Sequence, residues 1–247
     1  MQEQHRTIAL EIHDRYEEGV SLGNLGNCYV SLGYYERAIK LYEQSLKIAR
    51  EISDRYGEGD ALTCLGSAYR DIRQIPRAFN YYEKAINLAD ESGNQQTQHE
   101  ARFGLAETHL FQSNLIEAHK AIKATREYDY PSNNAAAWTL TGIIRLRLED
   151  LNMTKEALEQ GLKEAERLLK MSEKNFSALE TKALSLCGLA ICDDPKHLTM
   201  ARQAFQAARN ITQAKGVVTR LLNRFDALAL ADTENILAPL RKVAAGE

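Results

Sequence analysis

Proline is scarce in this chain, at four of 247 residues, and glycine is held to fourteen. So few turn-forming residues exclude a loop-rich all-β fold and a low-complexity chain. No apolar run approaches the roughly 20 residues that a membrane-spanning helix needs, which excludes an integral membrane protein. Neither sign of charge dominates. Thirty-one basic and 34 acidic side chains leave a net charge of −3, which sets aside a polycation that coats nucleic acid. The four cysteines, Cys28, Cys64, Cys187 and Cys192, contain no C-x-x-C spacing, which argues against a zinc site or a redox pair. The opening residues Met1–Arg6 have no basic stretch leading into an apolar one, so no secretory signal is read. A reduced, cytoplasmic protein with buried thiols is the expectation. Hydrophobic residues at 44% and charged residues at 26% are what a folded globular chain carries.

What the sequence does have is internal repetition. At an offset of forty residues, Tyr16, Glu18 and Gly19 meet Tyr56, Glu58 and Gly59. The same offset lays Leu25-Gly26-Asn27-Cys28-Tyr29 over Leu65-Gly66-Ser67-Ala68-Tyr69, Ala38 over Ala78 and Tyr42 over Tyr82. A third, weaker copy follows at Leu105-Ala106, His109, Ala118 and Ile122. Within one unit, Leu22, Leu25, Gly26, Tyr29 and Leu32 recur at helical three-and-four spacing and predict one buried helix face. Gly33 interrupts. Ala38, Ile39, Tyr42, Leu46 and Ala49 then predict a second face. Each unit is thus an antiparallel helical hairpin, and Gly26, Gly66 and Ala106 mark where its helices cross closely. Pro76 suits the start of a second helix, where a missing N–H is harmless. A lone hairpin cannot bury both its faces; stacked hairpins can, and they wind into a right-handed solenoid. The fold class is all-α.

The Leu-Gly-x-x-Tyr stretch, the later alanine and the tyrosine four residues beyond it resemble the tetratricopeptide repeat. The resemblance implies a right-handed α-α superhelix. It is strong over residues 17–131, as three regular units. Residues 132–214 are similar to two degenerate hairpins, with Trp138, Gly142, Ala157 and Gly161 in the first and Gly188, Ala201, Phe205 and Ala208 in the second. Residues 215–247 are expected to cap the array, with Pro239 opening a last short helix. The forty-residue period and the Asn24-Leu25-Gly26-Asn27 string look like the subgroup found in kinesin light chains and Pins-type adaptors, and like the sensor ends of STAND-type signalling ATPases. Gln4–Asp14 aligns at the same offset with Gln44–Asp54. Residues 1–16 therefore read as a lone leading helix, the second half of a unit. That implies either a piece of a longer protein or a cap, and the uncapped helix offers a contact for homo-oligomer formation.

From Pro195 to Phe225 the chain carries no acid and six basic residues, Lys196, Arg202, Arg209, Lys215, Arg220 and Arg224. These read as solvated helix faces whose long side chains cover apolar surface. The other reading is contact with an acidic partner or a nucleic-acid backbone, although no aromatic interleaving supports base stacking.

Catalytic grammar is missing. There is no P-loop, no H-E-x-x-H and no EF-hand loop. Gly19, Gly23 and Gly26 do not make a dinucleotide fingerprint, and no nucleophile–base–orienter set emerges. No metal or cofactor is expected and no enzyme is read. A solenoid instead presents a concave wall made by its first helices. The inward positions are Val20, Asn24, Asn27 and Ser31 in unit one; Asp60, Thr63, Ser67, Arg70 and Asp71 in unit two; Glu100, Phe103, Glu107 and Phe111 in unit three; and Thr139, Ile143, Leu146 and Arg147 in unit four. These suit a peptide or protein segment. Asparagine both donates and accepts, so Asn24 and Asn27 can hold an extended backbone, a role the resemblance to Pins and kinesin light chain arrays also implies. Phe103 and Phe111 offer an apolar pocket, and Arg70 and Arg147 can hold carboxylates. The expectation is a non-catalytic interaction scaffold. The alternative is the sensor segment of a larger STAND-type ATPase.

Overall fold

The computed structural model describes residues 2–127 and 130–247, with side chains from residue 13 onward. The described residues form twelve α-helices and no strand: α1 (Gln2–Leu32), α2 (Tyr35–Glu51), α3 (Arg55–Asp71), α4 (Ile75–Ser92), α5 (Gln95–Phe111), α6 (Leu115–Thr125), α7 (Asn134–Arg147), α8 (Leu151–Met171), α9 (Phe176–Cys192), α10 (His197–Ile211), α11 (Lys215–Ala229) and α12 (Ala238–Ala245). None of these helices is long and apolar enough to cross a membrane. The chain divides into two compact units, Met1–Gly104 and Leu105–Glu247.

The turns keep time as strictly as the helices do. Gly33, Ser53, Arg73, Gly93 and Ser113 all have positive φ, and they stand twenty residues apart. After each, the next backbone N–H reaches five residues back: Tyr34 to the Tyr29 carbonyl, Asp54 to Ala49, Gln74 to Tyr69, Asn94 to Ala89 and Asn114 to His109. This is a helix stop with a left-handed residue, used at every half-period of the forty-residue repeat. Glycine marks it only at Gly33 and Gly93. Ser53, Arg73 and Ser113 adopt it at about 1 kcal/mol each, held there by the packing of the helices on either side. Asp54 then caps α3, its carboxylate accepting from the Tyr56 and Gly57 backbone N–H groups, as a side chain at that position should.

In the first unit α1 packs on α2, α2 on α3 and α3 on α4, while α1 also touches α3. The core centres on Tyr82, which is fully buried. A Cβ built on Gly66 would stand 2.8 Å from its ring, and one on Gly104 would stand 2.5 Å away. Tyr82 therefore lies between two first helices at points where neither has a side chain. Gly26 receives Tyr42 in the same way, at 2.5 Å. In the second unit α7 packs on α8, α8 on α9 and α9 on α10, while α7 also touches α9. Here Leu158 fills the tyrosine's place, between Gly142 and Gly188. Helix α8 begins at Leu151, just after the turn that the left-handed Glu149 makes.

Three expectations need correction. Residues 1–16 are not a separate helix: α1 runs unbroken from Gln2 to Leu32. The left-handed Ser53 turn separates α2 from α3, whereas His13 stands at that position within the unbroken α1. The side-chain equivalence of Gln4–Ile12 with α2, and an oligomer contact built on it, lie outside the described residues. Second, the apolar face of the first repeat is not uniformly buried. Leu25 is 47% exposed, whereas its counterpart Leu65 is 0% exposed, because α2 packs on α3. For the same reason Cys28 is exposed although its counterpart Ala68 is buried. Third, the basic run is only partly solvated: Lys196, Arg202 and Lys215 are exposed, but two of its arginines are not. Arg209 is buried against Glu180, and Arg224 is paired with the buried Glu107.

The glycine contacts predict that Gly66→Leu destabilises the chain by about 1–3 kcal/mol, since the extra carbons must displace the Tyr82 ring. Urea unfolding measures this, and an unchanged midpoint would contradict the packing.

Candidate functional site

The first unit holds a cavity of about 370 Å³. Tyr16, Val20, Asn24 and Asn27 of α1 form one wall, and Tyr42, Ser45 and Ile48 of α2 form its base. The Asp54 turn, Asp60 and Cys64 of α3, and Gln96 and Glu100 of α5 complete it. Val20, Asp60 and Glu100 are one register position in three successive repeats. The forty-residue period thus delivers three first helices to a single place. Gly19, Gly23 and Gly57 line the cavity too and leave it room.

Hydrogen bonds fix its polar groups. The Tyr42 hydroxyl donates to Asn27 Oδ1 at 2.6 Å, which orients the amide and leaves its NH₂ to donate elsewhere. Ser45 Oγ donates to the Gly19 carbonyl at 2.8 Å and ties α2 to α1. Thr97 Oγ1 donates to Asp60 Oδ1 at 3.4 Å, and Gln96 Nε2 donates to Glu100 Oε1 at 3.3 Å. Burial pushes the Glu100 carboxyl up to about 7, and the Asp60 charge beside it adds to the rise. Burial also raises Asp60; the Thr97 bond opposes the rise, and Asp54 contributes to it. The neighbouring His99 is pushed down to about 4 by burial alone.

The expected inward residues divide sharply. Asn24 and Asn27 line the cavity. Ser31 is not part of its lining, and its hydroxyl donates to the Asn27 carbonyl. Thr63 is buried, donating to the Gly59 carbonyl within its own helix. Ser67, Arg70 and Asp71 gather around Tyr82. The Ser67 and Tyr82 hydroxyls lie 3.0 Å apart, and Arg70 Nη1 donates to the Tyr82 hydroxyl at 3.4 Å. The same guanidinium holds Asp71 at 3.0 Å. Arg70 is buried, so the role foreseen for it, holding a ligand carboxylate, gives way to holding Asp71 and latching Tyr82. Phe103 stacks on His99, ring centroids 6.4 Å apart.

In the second unit Glu107 and Arg147 are engaged within the chain. Glu107 is buried and accepts from Arg224 of α11. Arg147 donates to the Ala227 carbonyl of α11 at 3.2 Å and to Ser113 Oγ at 3.4 Å. Helix α11 lies on α7 and α9, so the chain's own tail occupies the face offered to a visitor there. Phe111 is half-buried in the same unit. Tyr16, Tyr42, Ser45 and Gln96 were missed by sequence reasoning. Asp60 and Glu100 were already among the inward positions, and stepping Tyr16 forward by two periods would have added Gln96 beside them.

Residues 21–56 match the family model described as Tetratricopeptide repeat. The fold is that of tetratricopeptide-repeat proteins. Among solved structures, a Rap protein complexed with Competence and Sporulation Factor is similar to 94% of this chain, at 13% identity and a TM-score of 0.67. The chain spans 66% of that structure's length. PilF of Pseudomonas aeruginosa is similar over 95% of both chains, at 19% identity and a TM-score of 0.53. No curated protein matches the chain in sequence.

The pocket acids have a measurable consequence. The folded state holds the Glu100 proton more tightly than the ordinary value of 4.5 allows, so that contribution to stability is full below 4.5 and is lost as pH rises through about 7. His99 acts oppositely in the same window: its folded value of about 4 lies under the ordinary 6.5, so it costs stability as pH falls. The wild-type curve therefore mixes the two, and the Glu100→Gln variant separates them. Between about pH 5 and pH 8, wild-type stability relative to the variant should fall by about 2–3 kcal/mol. A pH-independent difference in unfolding free energy would contradict the burial of this carboxyl.

Proposed function

We propose that the chain is a non-catalytic interaction scaffold that binds a peptide or protein segment on the first-helix face of its repeats, anchored at the first-unit cavity. The observation that carries this reading is Asn27, held in place by Tyr42 at the wall of that cavity with the exposed Asn24 one turn away. A pre-oriented amide loses little freedom on binding, and two amides on one helix face can pair with successive groups of an extended backbone. The tetratricopeptide-type fold supports a protein as the partner. A similar fold in the Rap structure is complexed with a named factor, which supports a fold able to hold one.

Within this reading the second unit contributes stability more than binding surface, since α11 already lies on α7 and α9. Asn24, Asn27 and the cavity acids do the recognising. Ser67, Arg70 and Asp71 shape the wall from behind.

Peptides selected from a random library on the full chain test the reading. The Asn24→Ala, Asn27→Ala double variant should weaken the selected peptides by about tenfold or more, as expected for two lost hydrogen bonds of roughly 1 kcal/mol each. Unchanged affinity by calorimetric titration, with the variant's melting curve intact, would overturn the site.

A further inference from the structure

We propose that the first-unit cavity receives a cationic side chain, lysine or arginine, of the bound segment. This rests on the scaffold reading above and names the chemistry that the segment must bring.

The cavity's charge is one-sided. Asp54, Asp60 and Glu100 line it, and among the described residues no lysine, arginine or histidine does. Asp54 is already engaged in capping α3, but its charge remains. Asp60 and Glu100 meet only neutral hydrogen-bond donors, the Thr97 hydroxyl and the Gln96 amide. Elsewhere this chain gives its buried carboxylates a guanidinium: Arg70 for Asp71, Arg209 for Glu180 and Arg224 for Glu107. The half-buried Glu100 and the more exposed Asp60 have none.

The Glu107 pair also shows the form a partner takes. Glu107 lies seven residues beyond Glu100 on α5, two turns along and therefore on the same helix face. Its cation, Arg224, is brought by α11, a segment distant in sequence that lies on first helices. An arginine brought to a first-helix carboxylate by a segment distant in sequence is thus an arrangement the second unit already uses.

Energetics favour the same occupant. Burial and the Asp60 charge beside it hold the Glu100 carboxyl partly protonated near neutrality, and burial, with the Asp54 charge, raises Asp60. A cation between them recovers the desolvation cost, a neutral side chain does not, and an acidic one adds repulsion. A cavity of about 370 Å³ lies within the usual size range for binding pockets. The tyrosine faces of Tyr16 and Tyr42 suit a cation as well. A bare metal ion fits less well, since no group of three His, Cys, Asp or Glu side chains among the described residues could hold one.

Proton release follows. The titratable groups lining the cavity around Glu100 are Tyr16 from α1, Tyr42 from α2, Asp54 from the α2–α3 turn, Asp60 and Cys64 from α3, none of them basic; His99, beside Glu100 on α5, is outside the lining and is kept neutral by burial above about pH 5. A cation binds the ionised form, so affinity should rise as pH rises through the range where Glu100 loses its proton.

The selected peptides give the test. Those weakened by the Asn24→Ala, Asn27→Ala variant should each carry a basic residue whose replacement by norleucine costs about tenfold or more in affinity. The Asp60→Asn, Glu100→Gln variant should lose the same factor and no longer distinguish the basic peptide from its norleucine form. It should melt no lower than wild type, because a buried charge has been removed. Wild-type binding should tighten from about pH 6 to pH 8. Asparagine-dependent peptides without a basic residue, or full affinity in the Asp60/Glu100 variant, would overturn this inference and leave the scaffold reading standing. Peptides indifferent to both variants, or no selectable peptide, would overturn both.

Discussion

One fit underlies the described structure: a bulky second-helix side chain set against first-helix backbone that bears no side chain. Tyr42 lies on Gly26, Tyr82 lies between Gly66 and Gly104, and Leu158 lies between Gly142 and Gly188. The hypothetical Cβ atoms at these glycines fall under 3 Å from the inserted side chain, closer than packed atoms tolerate. The glycines give up helix propensity, about 1 kcal/mol each, for a contact that no other residue permits. Tyr82 touches both α3 and α5, and Leu158 both α7 and α9, so each also sets the spacing of two first helices; α1 meets α3 as α7 meets α9. That spacing brings register position 20/60/100 to one cavity. The site is a consequence of the packing unit, not an addition to it.

The two units treat the first-helix face differently. In the second, α11 lies on α7 and α9, and its Arg224 neutralises the buried Glu107. In the first, the same kind of face keeps a cavity whose carboxylates have only neutral donors. Carboxylates are the common element, and an internal cation is present on the one face and absent from the cavity lining on the other. A carboxylate drawn partly out of water without a cation is unfavourable, and the proposed basic segment is what would supply one.

The hairpins were legible because their signals are local and periodic. Leu25 and Leu65, Gly26 and Gly66, Tyr42 and Tyr82 announce the helices and the offset together. Pro76 and Gly33 mark a start and a stop where the structure has them. The turns at Ser53, Arg73 and Ser113 were not legible, because tertiary packing and no local preference places those residues in left-handed backbone. In the site, Asn24 and Asn27 could be read from helix-face geometry. Arg70 and Glu107 could not: their partners, Tyr82 and Arg224, lie 12 and 117 residues away. Leu25 and Cys28 misled because the sequence of a helix does not say whether another helix covers it. Helix α1 continued where a break was expected, since no left-handed residue interrupts it.

Amide hydrogen exchange on the full chain, with and without a saturating selected basic peptide, tests the central claim most directly. The account predicts added protection in residues 16–27 of α1, 57–64 of α3 and 95–100 of α5, with α11 unchanged. Protection confined to α11 and the second unit, or spread over the outer second helices, would contradict it.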